Sequence, residues 1–163
     1  MRISARNRWE HVLSSVFPSE LQLELRAGGL VHASAVAIGR SGVLIIGPSG
    51  SGKSSLSLEL MALGAVLVSD DQVHLDVNPD CVRLSPPPSI AGQIEARGVG
   101  ILRAEWTPAI LQMVVDMSAT ENERLPVHRH VIVSNHRFPL VHNVASGHFP
   151  ASILQYVKGG RAA

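Results

Sequence analysis

Residues 47–54, GPSGSGKS, constrain this chain more than any other stretch. Gly47, Gly52, Lys53 and Ser54 match the pattern G-x-x-x-x-G-K-[ST]. A chain of this length meets that pattern by chance on the order of once in a hundred or less. The flanks add to it. Val43-Leu44-Ile45-Ile46 is a short apolar run rich in β-branched residues, as in a strand covered on both faces. The following SSLSLELMAL sets Leu56, Leu60 and Leu63 at helical spacing and stops at Gly64. Ala65 to Val68 reads as another buried strand, ending in Ser69-Asp70-Asp71. Strand, glycine loop, helix and strand make a βαβ unit, so residues 43–70 predict a parallel pair with a right-handed crossover. The expected fold is α/β: one P-loop nucleotide-binding domain over residues 1–163, with a mixed sheet around that unit.

The chemistry of such a loop is specific. Its glycines let the backbone curl so that successive N–H groups point inward at a phosphate. The positive end of the helix dipole adds to that field. Gly47, Pro48, Ser49, Gly50, Ser51 and Gly52 would form the cradle. Lys53 would reach the β- and γ-phosphates, and the Ser54 hydroxyl would ligate Mg²⁺. ATP and Mg²⁺ are therefore the expected cofactors.

A phosphate cradle does not name a reaction. Asp70 and Asp71 end the next strand and would emerge at the same edge of the sheet. Neighbouring side chains on a strand point oppositely, so one carboxylate can face the phosphates and the other a neighbour. Such a carboxylate can hold a metal-bound water or accept a proton from an attacking hydroxyl. A solvated turn or a cap pair is the plainer alternative. His32, on the strand before the loop strand, reads on its own as a satisfied histidine.

Elsewhere the pattern is coarser. A short helix is expected over residues 8–16, stopped by Pro18. Leu21, Leu23 and Leu25 alternate with polar residues as in a half-buried strand. Val31 to Ile38 predicts a second strand and Gly39 to Gly42 a tight turn. Val73, Leu75 and Val77 alternate as a hairpin return, and Arg83 to Ser89 is a proline-rich loop. Ile90 to Arg97 predicts a short helix ending at Gly98. Val99 to Leu102 and Leu111 to Met117 read as strands, Glu121 to His130 as an exposed polar segment, and Ile153 to Val157 as a last helix.

Composition narrows the function. Fourteen Lys+Arg against thirteen Asp+Glu give a net charge of +1. A general nucleic-acid binder needs a stronger positive field. A single cysteine, Cys81, allows no internal disulfide and no thiolate cluster within one chain. The longest apolar stretch, Val31 to Ile46, is broken by Gly39, Arg40, Ser41 and Gly42, short of the ~18 residues of a membrane span. The basic opening lacks the apolar core of a secretory signal, so a cytoplasmic protein is expected. Five histidines (His128, His130, His136, His142 and His148) crowd the last third. His128 and His130 would share a strand face, but nothing nearby completes a metal ligand set.

With these residues in hand, the chain resembles the HPr kinase/phosphorylase family, bacterial enzymes that phosphorylate a seryl hydroxyl on the phosphocarrier protein HPr. His32, the loop GPSGSGKS and SLELMALGAVLVSDD follow in the family's order. Glu95-Ala96-Arg97-Gly98-Val99-Gly100-Ile101 looks like the family signature E-[IV]-R-G-[LI]-G-I, and Asn122-Glu123-Arg124-Leu125 resembles the segment supplying an active-site arginine. The likeness covers roughly residues 28–145 and is strong from His32 to Ile101.

The resemblance implies the fold of the HPr kinase and phosphoenolpyruvate carboxykinase type. It implies Lys53 and the loop amides on the β- and γ-phosphates, and Ser54 and Glu95 on Mg²⁺. Asp71 would be the general base toward the seryl hydroxyl, with His32 and Arg124 completing the site. The partner would be an HPr-like phosphocarrier protein, in a phosphotransferase system that regulates carbohydrate or nitrogen use. Three features depart from the family: about thirty residues precede His32 where full-length relatives carry an N-terminal domain, Ser55 stands where a glutamate often follows, and no R-P-G-R-N-type segment tied to phosphorylase activity is recognisable after Arg124. The expectation is a shortened form reduced to a kinase core, with the reverse reaction and the homo-oligomeric state left open. Two alternatives remain: a small-molecule P-loop kinase, and a non-catalytic nucleotide-sensing module linked to two-component signalling.

Overall fold

The computed structural model describes the backbone of residues 20–23 and the chain from 29 to 163. The helix expected over residues 8–16 and the alternation at Leu25 lie outside the described residues. The elements in chain order are strands β1 (Glu20–Leu23), β2 (Gly29–His32), β3 (Ser34–Ile38) and β4 (Ser41–Ile46), helix α1 (Lys53–Ala62), and strands β5 (Val66–Ser69), β6 (Gln72–Val77) and β7 (Val82–Ser85). A 3₁₀ turn at Pro88–Ile90 leads to β8 (Gln93–Ala96), β9 (Gly100–Arg103), β10 (Ala109–Thr120), β11 (Arg129–Val133), β12 (His136–Asn143) and helix α2 (Phe149–Gly159).

The main sheet runs β1-β11-β12-β10-β4-β3-β5. β4, β10 and β12 run parallel, whereas β3 is antiparallel to both β4 and β5. This corrects the expected βαβ pair: the strands before and after α1 point the same way, but β3 lies between them. The sheet is mixed and carries helices, an α/β architecture.

The run Val43–Ile46 is apolar throughout because both faces of β4 are covered. Leu44 and Ile46 belong to a core with Val31, Val73, Leu75, Val82 and Leu84 of β2, β6 and β7. Val43 and Ile45 belong to a second core with Leu56 and Leu60 of α1 and Phe149 and Ile153 of α2. Alternate side chains of a strand point to opposite faces, so one continuous apolar run feeds both. α1 ends where the Gly64 N–H bonds the Met61 carbonyl and the Ala65 N–H the Leu60 carbonyl. Gly64 takes a φ of 100° there, which a residue without a Cβ tolerates.

Other expectations need correction. Val31 to Ile38 is two strands, because β2 pairs with β6 while β3 pairs with β4 and β5. At the break the Ala33 N–H bonds the Asp71 carbonyl at 3.1 Å. Residues 90–97 contain no α-helix. Ile94 and Ala96 are buried between exposed Gln93 and Glu95, the period of a strand, and Gly98 at φ 82° turns the chain into β9. The proline-rich segment after Arg83 is irregular only beyond β7, which pairs with β10. His128 precedes β11, so it and His130 do not share a strand face.

Candidate functional site

The segment from Gly47 to Gly52 links β4 to α1 and lies next to the C-terminal part of β10, whose Asp116 is in register with Ile46. Gly47 has a φ of 145°, and a Cβ there would stand 2.8 Å from Ser51 Oγ and 3.0 Å from Met117 Cβ. Only glycine fits that position. Gly52, at φ 94°, is the cap residue just before α1, so Lys53 and Ser54 sit at the helix N-terminus.

The Lys53 ammonium has three acceptors. It donates to the carbonyls of Gly47 and Pro48, each at 3.0 Å, and lies 3.3 Å from His32 Nε2. Burial pushes its pKa down, while the carboxylates of Asp71 and Asp70 push it up. His32 Nδ1 stands 3.2 Å from Asp71 Oδ1. One neutral tautomer serves both neighbours: Nδ1–H donates to Asp71 and Nε2 accepts from Lys53. Ser49 Oγ also approaches Nε2, at 3.4 Å.

The adjacent aspartates divide their work. Asp70 is buried and accepts from Ser34 Oγ at 2.6 Å, Ser54 Oγ at 2.8 Å and the Glu95 N–H at 3.0 Å. It ties β3, α1 and β8 together at one carboxylate. Asp71 takes a left-handed φ of 67°, a conformation aspartate tolerates better than most residues. Its side chain is 70% exposed and aims at the opening.

These groups border an open pocket of about 340 Å³, lined by His32, Ser49, Lys53, Ser54, Asp71 and Glu95 among others. Lining also come Gly50, Gly52, Ser34 and Arg97. Most of the positions singled out in the sequence line this pocket, whereas Gly47, Pro48, Ser51, Asp70 and Arg124 do not. Arg124 is exposed in the segment after β10. Glu95 reaches the pocket from a strand, not a helix. Sequence reasoning missed Ser34, Ser55 and Arg97 as pocket residues. No motif marks Ser34, whereas Arg97 lies inside the segment that carries the resemblance. Among the described residues no group of three or more His, Cys, Asp or Glu is arranged to hold a metal ion, the histidine-rich last third included. No helix among them is long and apolar enough to cross a membrane.

A glycine turn, a helix N-terminus, a lysine and paired aspartates thus meet at one edge of a mixed α/β sheet. The profile of the HPr Serine kinase C-terminal domain matches residues 24–123, and the chain belongs to that family. It is 32% identical over 120 residues to an HPr kinase/phosphorylase of Neisseria meningitidis, covering 68% of this chain and 38% of that protein. It is 42% identical over 91 residues to the HPr kinase/phosphorylase of Shouchella clausii, covering 55% of this chain and 29% of that protein. The chain therefore spans under two-fifths of the length of these relatives. The solved HPr(Ser) kinase/phosphatase of Coxiella burnetii superposes with a TM-score of 0.66 at 26% identity, covering 80% of this chain and 94% of that one.

Proposed function

We propose that this chain is an ATP- and Mg²⁺-dependent kinase domain that phosphorylates a seryl hydroxyl on an HPr-like phosphocarrier protein. The observation that carries the reading is the meeting of Lys53, Ser54, Asp70, Asp71 and His32 at the start of α1. Residues 47–54 would form a P-loop around the triphosphate, with loop N–H groups and Lys53 on the β- and γ-phosphates.

The donor set suits Mg²⁺. That ion keeps several waters and takes one or two protein oxygens beside phosphate oxygens, so a three-carboxylate cage is not required. Ser54 Oγ would hold it, with Glu95 on the facing wall and Asp70 orienting the serine hydroxyl. When bound, the ion would neutralise charge on the transferring phosphoryl group.

In the transfer, the acceptor serine oxygen bonds to the γ-phosphorus and the bond to the leaving ADP oxygen breaks. The serine proton passes to the Asp71 carboxylate. His32 holds that carboxylate through Nδ1–H and keeps Lys53 close through Nε2. Most of the rate gain comes from positioning and charge neutralisation. The reading carries with it a cytoplasmic setting and a part in regulating a phosphotransferase system.

The test is transfer of label from γ-labelled ATP to purified HPr, with the modified residue mapped by mass spectrometry. Asp71→Asn should cost on the order of 10²–10⁴ in kcat while ATP still binds. Full activity in that variant would remove Asp71 from the base role. ADP release with a metabolite acceptor and none with HPr would favour a small-molecule kinase. ATP binding without any transfer would favour a sensing module.

A further inference from the structure

Strand β10 leaves its neighbours at the level of the glycine loop. Its pairing with β12 runs as far as Asp116 opposite His142 and resumes at Thr120 opposite Asn143, so Met117, Ser118 and Ala119 stand against no residue of β12. The ladder with β4 also ends at Asp116, opposite Ile46 and one residue before Gly47. A backbone amide in such a bulge loses its ladder partner and needs another. The Ser118 N–H finds one in the Asp116 carboxylate at 2.8 Å, and the Ser118 hydroxyl bonds the same oxygen at 2.6 Å. Asp116 is buried, and the phosphoryl transfer described above makes no use of it. Met117 lies between these two tied residues. It packs against the core that Met113 and Val115 of β10 form with α1 and α2. From there it reaches both ends of the loop. A Cβ built on Gly47 would stand 3.0 Å from Met117 Cβ, and one built on Gly52 would stand 3.6 Å from Met117 Cε.

We propose that Met117, held by the Asp116–Ser118 turn, is a positioning residue that keeps residues 47–52 curled for phosphate. The inference rests on the nucleotide reading above and adds to it a residue from a strand outside the loop motif. Loop amides converge on a phosphate only while the backbone keeps its curl, here with φ of 145° at Gly47 and 94° at Gly52. Glycine holds such angles with no side chain of its own to lock them, so the lock must come from a neighbour. An unbranched thioether suits the task, because it bends to follow an irregular surface. Shortening it opens a gap under the loop, and the two glycines relax into that gap. Met117 itself touches no reacting atom, so its loss acts on nucleotide affinity rather than on the chemical step.

The test is calorimetry of MgATP, beside label transfer to HPr and thermal unfolding, in wild type, Met117→Ala, Met117→Leu, Asp116→Ala and Asp116→Asn. Binding is measured well below each Tm. In Met117→Ala the Kd and KM for MgATP should rise about tenfold while kcat stays within about threefold. Met117→Leu keeps the reach to Gly52 and should bind within about threefold of wild type. Asp116→Ala should weaken binding in the same direction, and Asp116→Asn, whose amide oxygen still accepts from Ser118, should restore most of it. Met117→Val, too short for Gly52, takes the place of Met117→Ala if that variant does not fold. A folded short-chain variant with a lowered Tm and an unchanged Kd overturns the proposal, because Met117 would then only fill space. Equal losses in Met117→Ala and Met117→Leu overturn it as well. Wild type that binds MgATP but transfers nothing to HPr removes the kinase reading alone, and the Kd comparison still decides this proposal. Wild type that binds no MgATP removes both.

Discussion

The Asp70 carboxylate accepts the Ser54 hydroxyl at 2.8 Å with one oxygen, while its other oxygen accepts the Glu95 N–H at 3.0 Å. One buried group thereby fixes both residues proposed to face Mg²⁺. Asp70→Asn keeps the size but loses the charge and replaces one acceptor oxygen by a donor. A buried group left unsatisfied costs about 1–3 kcal/mol, more beside charged partners. Urea unfolding should show a loss in that range. MgATP binding should weaken in the same variant through misplaced Ser54 and Glu95.

Gly47 offers a steric test. An alanine there must adopt a φ of 145° and place its Cβ 2.8 Å from Ser51 Oγ and 3.0 Å from Met117 Cβ. Gly47→Ala should cost about 1–3 kcal/mol in strain and overpacking. Thermal unfolding should show the loss, and the distorted turn should bind ATP poorly. Gly50→Ala, at φ 79° but with nothing within 4 Å, should be milder, its cost arising from the backbone alone.

Much of this site was legible in the sequence, for reasons that separate local from tertiary determinants. Val43–Ile46 and the Leu56/Leu60 spacing fix a buried strand and an amphipathic helix by themselves, so the loop between them is forced. The identity of the strand beside β4 is decided by pairing, and nothing local announces that β3 intervenes. Residues 90–97 were ambiguous in kind. Ile90 and Ile94 are four apart, as on a helix, while Ile94 and Ala96 are two apart, as on a strand. Burial of Ile94 and Ala96 against α1 decides for the strand. Asp70 and Asp71 are equivalent as letters. The left-handed backbone at Asp71 sends one carboxylate inward and leaves the other at the opening. Arg124 was placed by a short likeness in a polar segment, where no periodicity constrains position.

Lys53 gives a pH signature. Its pKa lies below the ordinary 10.5, chiefly through burial. In the window just under that value the unfolded chain holds more protons at this site than the folded one. Stability contributed by this group therefore rises with pH there. The stability difference, wild type minus Lys53→Met, should grow across that window in urea titrations. A flat difference would mean the ammonium is as free as in the unfolded chain.

Glu121 gives the opposite sign. The Glu123 N–H holds its carboxyl below the ordinary 4.5, against an opposing effect of burial and with further help from Arg129 and the Asn122 N–H. Its contribution is present above the ordinary value and is lost as pH falls through the lowered one. Wild type should therefore exceed Glu121→Gln in stability near neutrality, and the gap should close in acid. Salt should narrow it as well, because part of it is an ion pair with Arg129.

Calorimetric titration with MgATP tests the central claim most directly. The account predicts one saturable site per chain in wild type, weakened about tenfold or more in Ser54→Ala and in Mg²⁺-free buffer. Wild type that gives no heat with MgATP, or a Ser54→Ala variant that binds as tightly as wild type, would contradict it.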